Sequence, residues 1–307
     1  MICTLGFVNS AFAAGEAGLD IDSLKAGVGA RPLGMGGAFT AIADNADAPY
    51  WNPAGLAQVD FQEFNTMQTR MSTDADHYYL SYVQPWGRGS LGISWIQISL
   101  GTLTETTTTD AFNEVINIST FSYFSNALLL AYGLPLNDKV SVGLTAKYLT
   151  SDMTTISQGQ ATGYSVTPAI LITPNEKLSI GAKVDEILNE VTWGTGTTEK
   201  APPKARIGVS YILDQMLGRF PLMGRIAVDF AQTMQSGFTT EYSAGYEWER
   251  DGLALRFGYA ASALTAGAGF KSPFGNNLGI AELDYAYVQQ TSLSKDNVHR
   301  ISLAGRW

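Results

Sequence analysis

The chain has 307 residues, a length that a single all-β barrel can reach. Charged residues make up 15% of it and the formal net charge is −9, which argues against nucleic acid as a partner because such partners need clustered Lys and Arg. Mean hydropathy is +0.02, and no apolar run approaches the ~20 residues of a membrane helix. Apolar residues are therefore spread over short segments, as in a transmembrane barrel or a sparsely charged soluble β-protein.

The first residues have the features of a targeting segment. Residues 1–13 carry an apolar run that ends in Ala11-Phe12-Ala13, an A-x-A cleavage pattern. We expect this stretch to be the remnant of a signal peptide. Cys3 is the only cysteine and lies inside it, so no disulfide or thiol chemistry is expected in the mature chain.

Residues 14–58 show no strand pattern and are rich in small residues. Asn52 followed by Pro53 predicts a helix N-cap with proline at the first helical position. Asp44 is expected to cap a helix or to pair with Arg31. Three glycines permit close backbone approach and a positive φ: Gly34, Gly36 and Gly37.

From residue 59 onward, apolar and polar residues alternate. In 140–148, for example, Val140, Val142 and Leu144 share one face of a predicted strand. The even number of about fourteen such segments is typical of a bacterial single-chain barrel. The predicted strands are 61–71, 77–84, 90–98, 122–133, 139–149, 163–173, 177–185, 203–213, 224–232, 238–248, 253–259, 264–271, 278–288 and 298–307.

The connections between these strands alternate between tight turns and longer polar loops. Short turns on one end and long loops on the other are typical of outer-membrane barrels. The segment 214–223 is long for a turn, and we expect a short interfacial helix there. Longer loops are predicted at 99–121, 150–162, 186–202 and 289–297.

The lumen of such a barrel is too wide for side chains alone to fill. Residues 14–58 have about the size needed to fold inside it. Inside the strand 163–173, Pro168 removes a ladder donor, so we expect a bulge or kink in the wall. Two interpretations of this kink stay open: a local irregularity of no consequence, or a functional opening. Inward charges are predicted at Lys147, Lys183, Arg206, Arg225, Asp229, Glu241, Arg256, Glu282, Asp284 and Arg300.

The stretch "GARPLGMGGAFTAIADNADAPYWNPAGLA" (29–57) resembles the N-terminal signature of the FadL superfamily of outer-membrane proteins, including its PorV/PorQ branch. The resemblance implies an all-β, transmembrane antiparallel β-barrel of about 14 strands with a small N-terminal helical plug. We call residues 14–58 the hatch; the barrel is expected to cover 59–307. The hatch residues implied are Gly34, Gly36, Gly37, Asp44, Asn52, Pro53 and Ala54.

Two functions remain open, and the bacterial outer membrane is the expected location for both, with its lipid as a partner. Because the chain is short and its loops are modest, the PorV/PorQ-like reading predicts protein secretion or cell-surface partner binding, with secretion machinery or an exported protein as partner. The alternative is FadL-like passive transport of long-chain fatty acids or other hydrophobic small molecules. No catalytic residue, metal site or cofactor is predicted, so we do not expect an enzyme.

Overall fold

The computed structural model describes residues 22–71, 75–108, 115–217, 220–235, 240–260, 263–275, 278–289 and 297–307. The predicted signal-peptide remnant, residues 1–13, lies outside them. The hatch contains helices α1 (Asp22–Lys25), α2 (Ala30–Gly34) and α3 (Ala48–Trp51), followed by a 3-10 helix (Pro53–Gln58). Within the described residues, no helix has both the length and the apolar character needed to cross a membrane.

All remaining elements in the described ranges are strands. They are β1 (Glu63–Arg70), β2 (Ala75–Trp86), β3 (Gly89–Thr108), β4 (Val115–Asn137), β5 (Val140–Met153), β6 (Gln160–Asn175), β7 (Leu178–Asp185), β8 (Ile187–Trp193), β9 (Thr198–Glu199), β10 (Lys204–Leu217), β11 (Phe220–Thr233), β12 (Glu241–Arg250), β13 (Leu253–Ala260), β14 (Ala263–Phe274), β15 (Gly279–Val288) and β16 (Val298–Arg306).

Fourteen of these strands form a closed antiparallel barrel, as the alternation predicts. Each pairs with its neighbour in the chain, β7 pairs with β10, and β16 closes the ring on β1. β8 and β9 form an additional hairpin attached to β6. We call the end with the short β2–β3, β4–β5 and β6–β7 connections the turn end, and the opposite end the loop end.

The outer surface of the barrel is apolar because the alternating residues of each strand point away from the lumen. In β16, Ile301 and Leu303 are exposed whereas Arg300 and Ser302 are buried. The same division holds along β13, where Leu255 and Phe257 are outside. An outward apolar band with a polar interior is the arrangement of a barrel in a bilayer.

Three connections differ from the sequence-based expectation. The predicted loop 99–121 is wrong over most of its length, because β3 continues to Thr108 and β4 begins at Val115. The helix expected in 214–223 is also wrong, since β10 and β11 continue through this segment and pair with each other as far as Leu217 and Phe220. The predicted loop 186–202 contains the β8–β9 hairpin. These extensions are hydrogen-bonded by neighbouring strands and need no apolar face, so they show no alternation.

Candidate functional site: the hatch inside the barrel

The described part of the hatch, residues 22–58, lies in the lumen and contacts the inner wall on opposite sides. α2 packs against β13, β14, β15 and β16, whereas the 3-10 helix packs against β3, β4, β5 and β6. Phe39 and Trp51 of the hatch form one apolar core with Met67 and Tyr79 of the wall. The lumen is therefore filled at this level by hatch backbone and apolar side chains.

One side of the hatch binds the wall through buried ion pairs. Arg31 donates from Nε and Nη2 to the two carboxylate oxygens of Glu247, at 2.8 and 2.9 Å, and from Nη1 to Asp44 Oδ1 at 2.6 Å. Arg225 donates to Asp44 Oδ2 at 2.9 Å. Burial alone would raise the pKa of Asp44, but Arg31 and Arg225 hold it well below its usual range. The predicted pairing of Asp44 with Arg31 is confirmed.

This ion pair continues into the wall. Glu247 Oε1 also accepts from Nε of the fully buried Arg256 at 2.8 Å, and Arg256 in turn donates to Asp284. Because the charges alternate in sign along this chain of contacts, each is compensated where water is excluded. Removing one member would leave its neighbours as uncompensated buried charges.

Asp229, predicted to face inward, binds hatch backbone. Its Oδ2 accepts from Thr40 Oγ1 at 2.6 Å, from Thr40 N at 3.1 Å and from Phe39 N at 3.3 Å. One wall carboxylate thus satisfies two backbone donors at a bend of the hatch that has no regular secondary structure.

Asn52 joins three segments. Its Oδ1 accepts from Ala54 N at 3.0 Å, so the predicted cap at Asn52-Pro53 is present, on a 3-10 helix. Its Nδ2 donates to Thr40 O at 2.6 Å and to Ile170 O of β6 at 3.3 Å. Because Asn52 is fully buried, these contacts satisfy an amide that water cannot reach.

Glycines of the inner wall allow the hatch to approach the wall closely. A Cβ added at Gly143 of β5 would lie 2.2 Å from Ala54 N, and one at Gly181 of β7 would lie 2.2 Å from Thr40 O. Any side chain at these positions would displace the hatch or the strand. We call the following wall residues the glycine belt: Gly92, Gly133, Gly143, Gly181, Gly208, Gly245, Gly258 and Gly267.

The hatch glycines make the same kind of contact from inside. The positive φ predicted for them is present at Gly36 (67°) and Gly37 (75°). A Cβ on Gly36 would lie 2.6 Å from the backbone oxygen of Tyr259. Gly34 has a negative φ and lies against Gly267 of the belt, where an added Cβ would be 3.3 Å from Cα.

Pro168 lies where β6 changes partner. On one side of it Ala169 pairs with Lys183 of β7, and on the other Val166 pairs with Ile187 of β8. Three residues of the opposite segment, 184–186 at the end of β7 and before β8, therefore oppose Thr167 and Pro168. Within this segment Glu186 has a φ of 60°. Whether this irregularity in the wall has a function stays a prediction.

Two parts of this site are missing from the sequence-based expectation. Glu247, the wall partner of Arg31, shares a strand face with Glu241 and could have been included among the inward charges by the same alternation. The glycine belt has a similar signal, because Gly143, Gly181 and Gly208 fall on the inward side of their strands. No pattern in the sequence pairs a particular wall glycine with a particular hatch residue.

Fold and site together define a class of protein: an antiparallel β-barrel with an apolar outer band whose N-terminal segment occupies the lumen. The chain belongs to the uncharacterised protein family UPF0164, whose model matches residues 9–196. No curated protein matches the chain.

Solved structures with the same fold include channels and transporters. The Pseudomonas putida toluene transporter TodX has a TM-score of 0.61 at 12% identity, covering 91% of this chain and 97% of that one. The Ralstonia pickettii toluene transporter TbuX gives 0.58 at 13% identity, with coverages of 91% and 97%. A Pseudomonas aeruginosa FadL homologue gives 0.56 at 10%, with 88% and 95%. These likenesses show that the chain shares the fold of these barrels; they do not confirm the PorV/PorQ branch.

Proposed function

We propose that the protein is a channel for hydrophobic small molecules in the bacterial outer membrane, with the tight turns in the periplasm and the loop end outside. The observation that carries the proposal is a barrel with an apolar coat whose axis is blocked by the hatch while its wall is irregular at Pro168. The toluene transporters named above share the fold and supply the analogy for the ligand class.

The axial route is closed at the glycine belt. Hatch backbone lies against wall backbone at Gly143, Gly181 and Gly245, so no gap remains there without movement of the hatch. A molecule that enters from the loop end therefore needs another exit, or a displaced hatch.

The wall beside Pro168 offers the alternative exit. Proline has no N–H for the ladder, and the strand opposite bends at Glu186. On the lumen side, Lys147 Nζ of β5 reaches across β6 and bonds Glu186 Oε1 at 2.6 Å and Asp185 Oδ1 at 3.5 Å. We infer that separating these two ion pairs opens a lateral route into the bilayer, so that an apolar molecule does not have to pass the charged residues of the hatch.

Uptake by whole cells tests this function. We expect a deletion strain to accumulate radiolabelled toluene or a long-chain fatty acid several-fold more slowly than a strain that expresses the chain. Pro168→Val should lower uptake, because the new N–H allows the ladder to close; heat-modifiable migration of the folded barrel serves as the assembly control. Equal uptake with and without the protein would overturn the proposal.

The same deletion strain distinguishes the secretion hypothesis from the channel proposal. Neither the described residues nor the comparisons supply an observation that favours secretion machinery or an exported protein as partner. Loss of surface proteins with unchanged uptake of both probes would replace the channel proposal by the secretion function.

A further inference from the structure

Two hydrogen-bonding atoms without partners lie close together on the inner wall beside Pro168. Ser165 of β6 faces the lumen and is 1% exposed, and its Oγ has no hydrogen-bond partner. Oε2 of Glu186 is also buried without a partner. Because buried polar atoms nearly always have one, these two atoms indicate that a polar group from outside the chain binds here.

The pairing of the strands places the two atoms next to each other. Ser165 pairs directly with Lys147 of β5, whose Nζ bonds Glu186 Oε1 at 2.6 Å. Val166, the neighbour of Ser165, pairs with Ile187, the neighbour of Glu186. Ser165 therefore lies on the strand between Lys147 and Glu186, and one molecule can contact both side chains.

The charges around these two atoms are already balanced. Lys147 and Lys183 supply two positive charges, and Asp185 and Glu186 supply two negative ones. Three ion pairs join the four side chains, from Lys147 to Glu186, from Lys147 to Asp185 and from Lys183 to Asp185. A carboxylate from outside would add a third negative charge to this buried group, whereas a neutral molecule leaves the balance unchanged.

The two atoms differ in hydrogen-bonding character. An ionised carboxylate oxygen such as Glu186 Oε2 only accepts, whereas a serine hydroxyl donates and accepts. A hydroxyl group of a bound molecule can donate to Glu186 Oε2 and accept from Ser165 Oγ at the same time. A hydrocarbon would leave both atoms unsatisfied, which costs binding free energy.

An apolar strip of wall lies next to Ser165 on the side of the loop end. The next two inward positions of β6 are Gly163 and Ala161, which have little or no side chain. Gly163 pairs with Leu149 of β5 and with Val191 of β8. Leu149 belongs to the apolar core shared with the hatch, and Val191 packs against it. The two polar atoms thus border a surface that suits an apolar molecular body.

We propose that Ser165 and Glu186 bind the hydroxyl group of a neutral, otherwise apolar molecule whose body lies along this strip toward the loop end. The hydroxyl donates to Glu186 Oε2 and accepts from Ser165 Oγ, while Lys147 holds Glu186 through Oε1. The inference rests on the proposed function for the delivery of the molecule. It narrows the substrate class to alcohols and phenols, unlike the toluene of the structural neighbours' names.

Binding of p-cresol, toluene and benzoate to the purified full-length protein in detergent tests the site. The first two probes differ only in one hydroxyl group. We expect p-cresol to bind about tenfold or more tightly than toluene, since its hydroxyl bonds a charged acceptor. Ser165→Ala should weaken p-cresol by about threefold without changing toluene, and Glu186→Gln should weaken p-cresol further.

Ser210→Ala is the matched control. Ser210 is an inward-facing serine of β10 that is also buried, and it pairs with Ser179 of β7, away from Glu186. Its replacement should leave the affinities for p-cresol and toluene unchanged, and heat-modifiable migration verifies that each variant is folded.

Three outcomes would overturn the site. Equal affinities of the wild type for p-cresol and toluene would show that the two atoms bind only water. A loss in Ser165→Ala that is the same for both probes would assign the effect to packing. Benzoate binding as tightly as p-cresol would overturn the preference for a neutral molecule.

The two proposals fail separately. Binding of p-cresol that depends on Ser165, in a protein whose deletion changes the uptake of no probe, would overturn the channel and keep the site. Toluene uptake that depends on the protein, together with equal binding of p-cresol and toluene, would overturn the site and keep the channel.

Discussion

The two faces of the hatch are held in the lumen by different kinds of interaction. The charged face, formed by Arg31, Thr40 and Asp44, contacts β11 and β12 through buried ion pairs and charge-assisted hydrogen bonds. The apolar face, formed by Pro49, Pro53, Ala54 and Leu56, contacts β3, β4 and β5 by close approach to wall glycines.

This difference shows what each face can tolerate. The charged face depends on every partner being present, since a buried charge is stable only when it is compensated. The apolar face depends on every wall position being small, since one extra methyl would overlap hatch backbone. Loss of charge should therefore loosen one face and gain of volume the other.

The largest effect is expected from Glu247→Ala. Arg31 and Arg256 would both remain buried without their shared carboxylate, so the free energy of local hatch opening should fall by about 3–5 kcal/mol. Hydrogen exchange of the amides in 28–59 measures this opening. The control is Glu249→Ala, whose partner Lys271 lies near the surface and whose effect should stay below about 1 kcal/mol. Similar losses in both variants would contradict a special role for the buried pair.

A pH titration sharpens the comparison further. Burial raises the pKa of Asp47 from its ordinary 3.8 to about 6, so the closed hatch binds this proton more tightly than the opened one. The stabilisation is complete below about pH 4 and is lost as pH rises through 6, a change of about 2–3 kcal/mol.

The measurement is hydrogen exchange of hatch amides from pH 4 to 7, normalised to unstructured-peptide rates. Asp47→Asn should lower the slope. A slope that is unchanged in this variant would assign the titration to another group.

Gly143→Ala tests the apolar face. Its Cβ would lie 2.2 Å from Ala54 N, and the forced shift should destabilise the hatch by about 1–3 kcal/mol with the barrel intact. Protease cleavage within the hatch reports the shift, and heat-modifiable migration reports the barrel. Gly101→Ala is the control, because nothing lies within 4 Å of a Cβ at that position. Equal protease resistance in both variants would show that the belt does not require glycine.

The smallest effect is expected from Asn52→Ala, at about 1 kcal/mol for loss of the cap and of the bonds to Thr40 and Ile170. Asn52→Asp keeps the acceptor for Ala54 N and removes the Nδ2 donor. Hydrogen exchange of the 3-10 helix should change in Asn52→Ala and recover in Asn52→Asp. Failure to recover would place the contribution of Asn52 in its donor bonds.

Much of the barrel could be predicted from alternation, since each of the fourteen barrel strands overlaps a predicted segment. The loop-end parts of β3 and β4 could not, because they extend beyond their pairing with β2 and β5 and are hydrogen-bonded to each other, which requires no apolar face. For the site, Asn52-Pro53 and the hatch glycines had local signals. The partnership of Arg31 with Glu247 did not, because 216 residues separate them.

The sequence by itself determined that alternate residues form an apolar coat, that the chain contains an even set of strands, and that its first part is compact and glycine-rich. These features depend on residues that are close together in the chain, so the periodicity of the sequence predicts them. Only the tertiary structure decided which wall glycine meets which hatch atom, where β6 changes partner, and which wall carboxylate pairs with Arg31. Those features depend on the register and closure of the barrel, which bring distant residues together. No single segment of the sequence contains a pattern that predicts them.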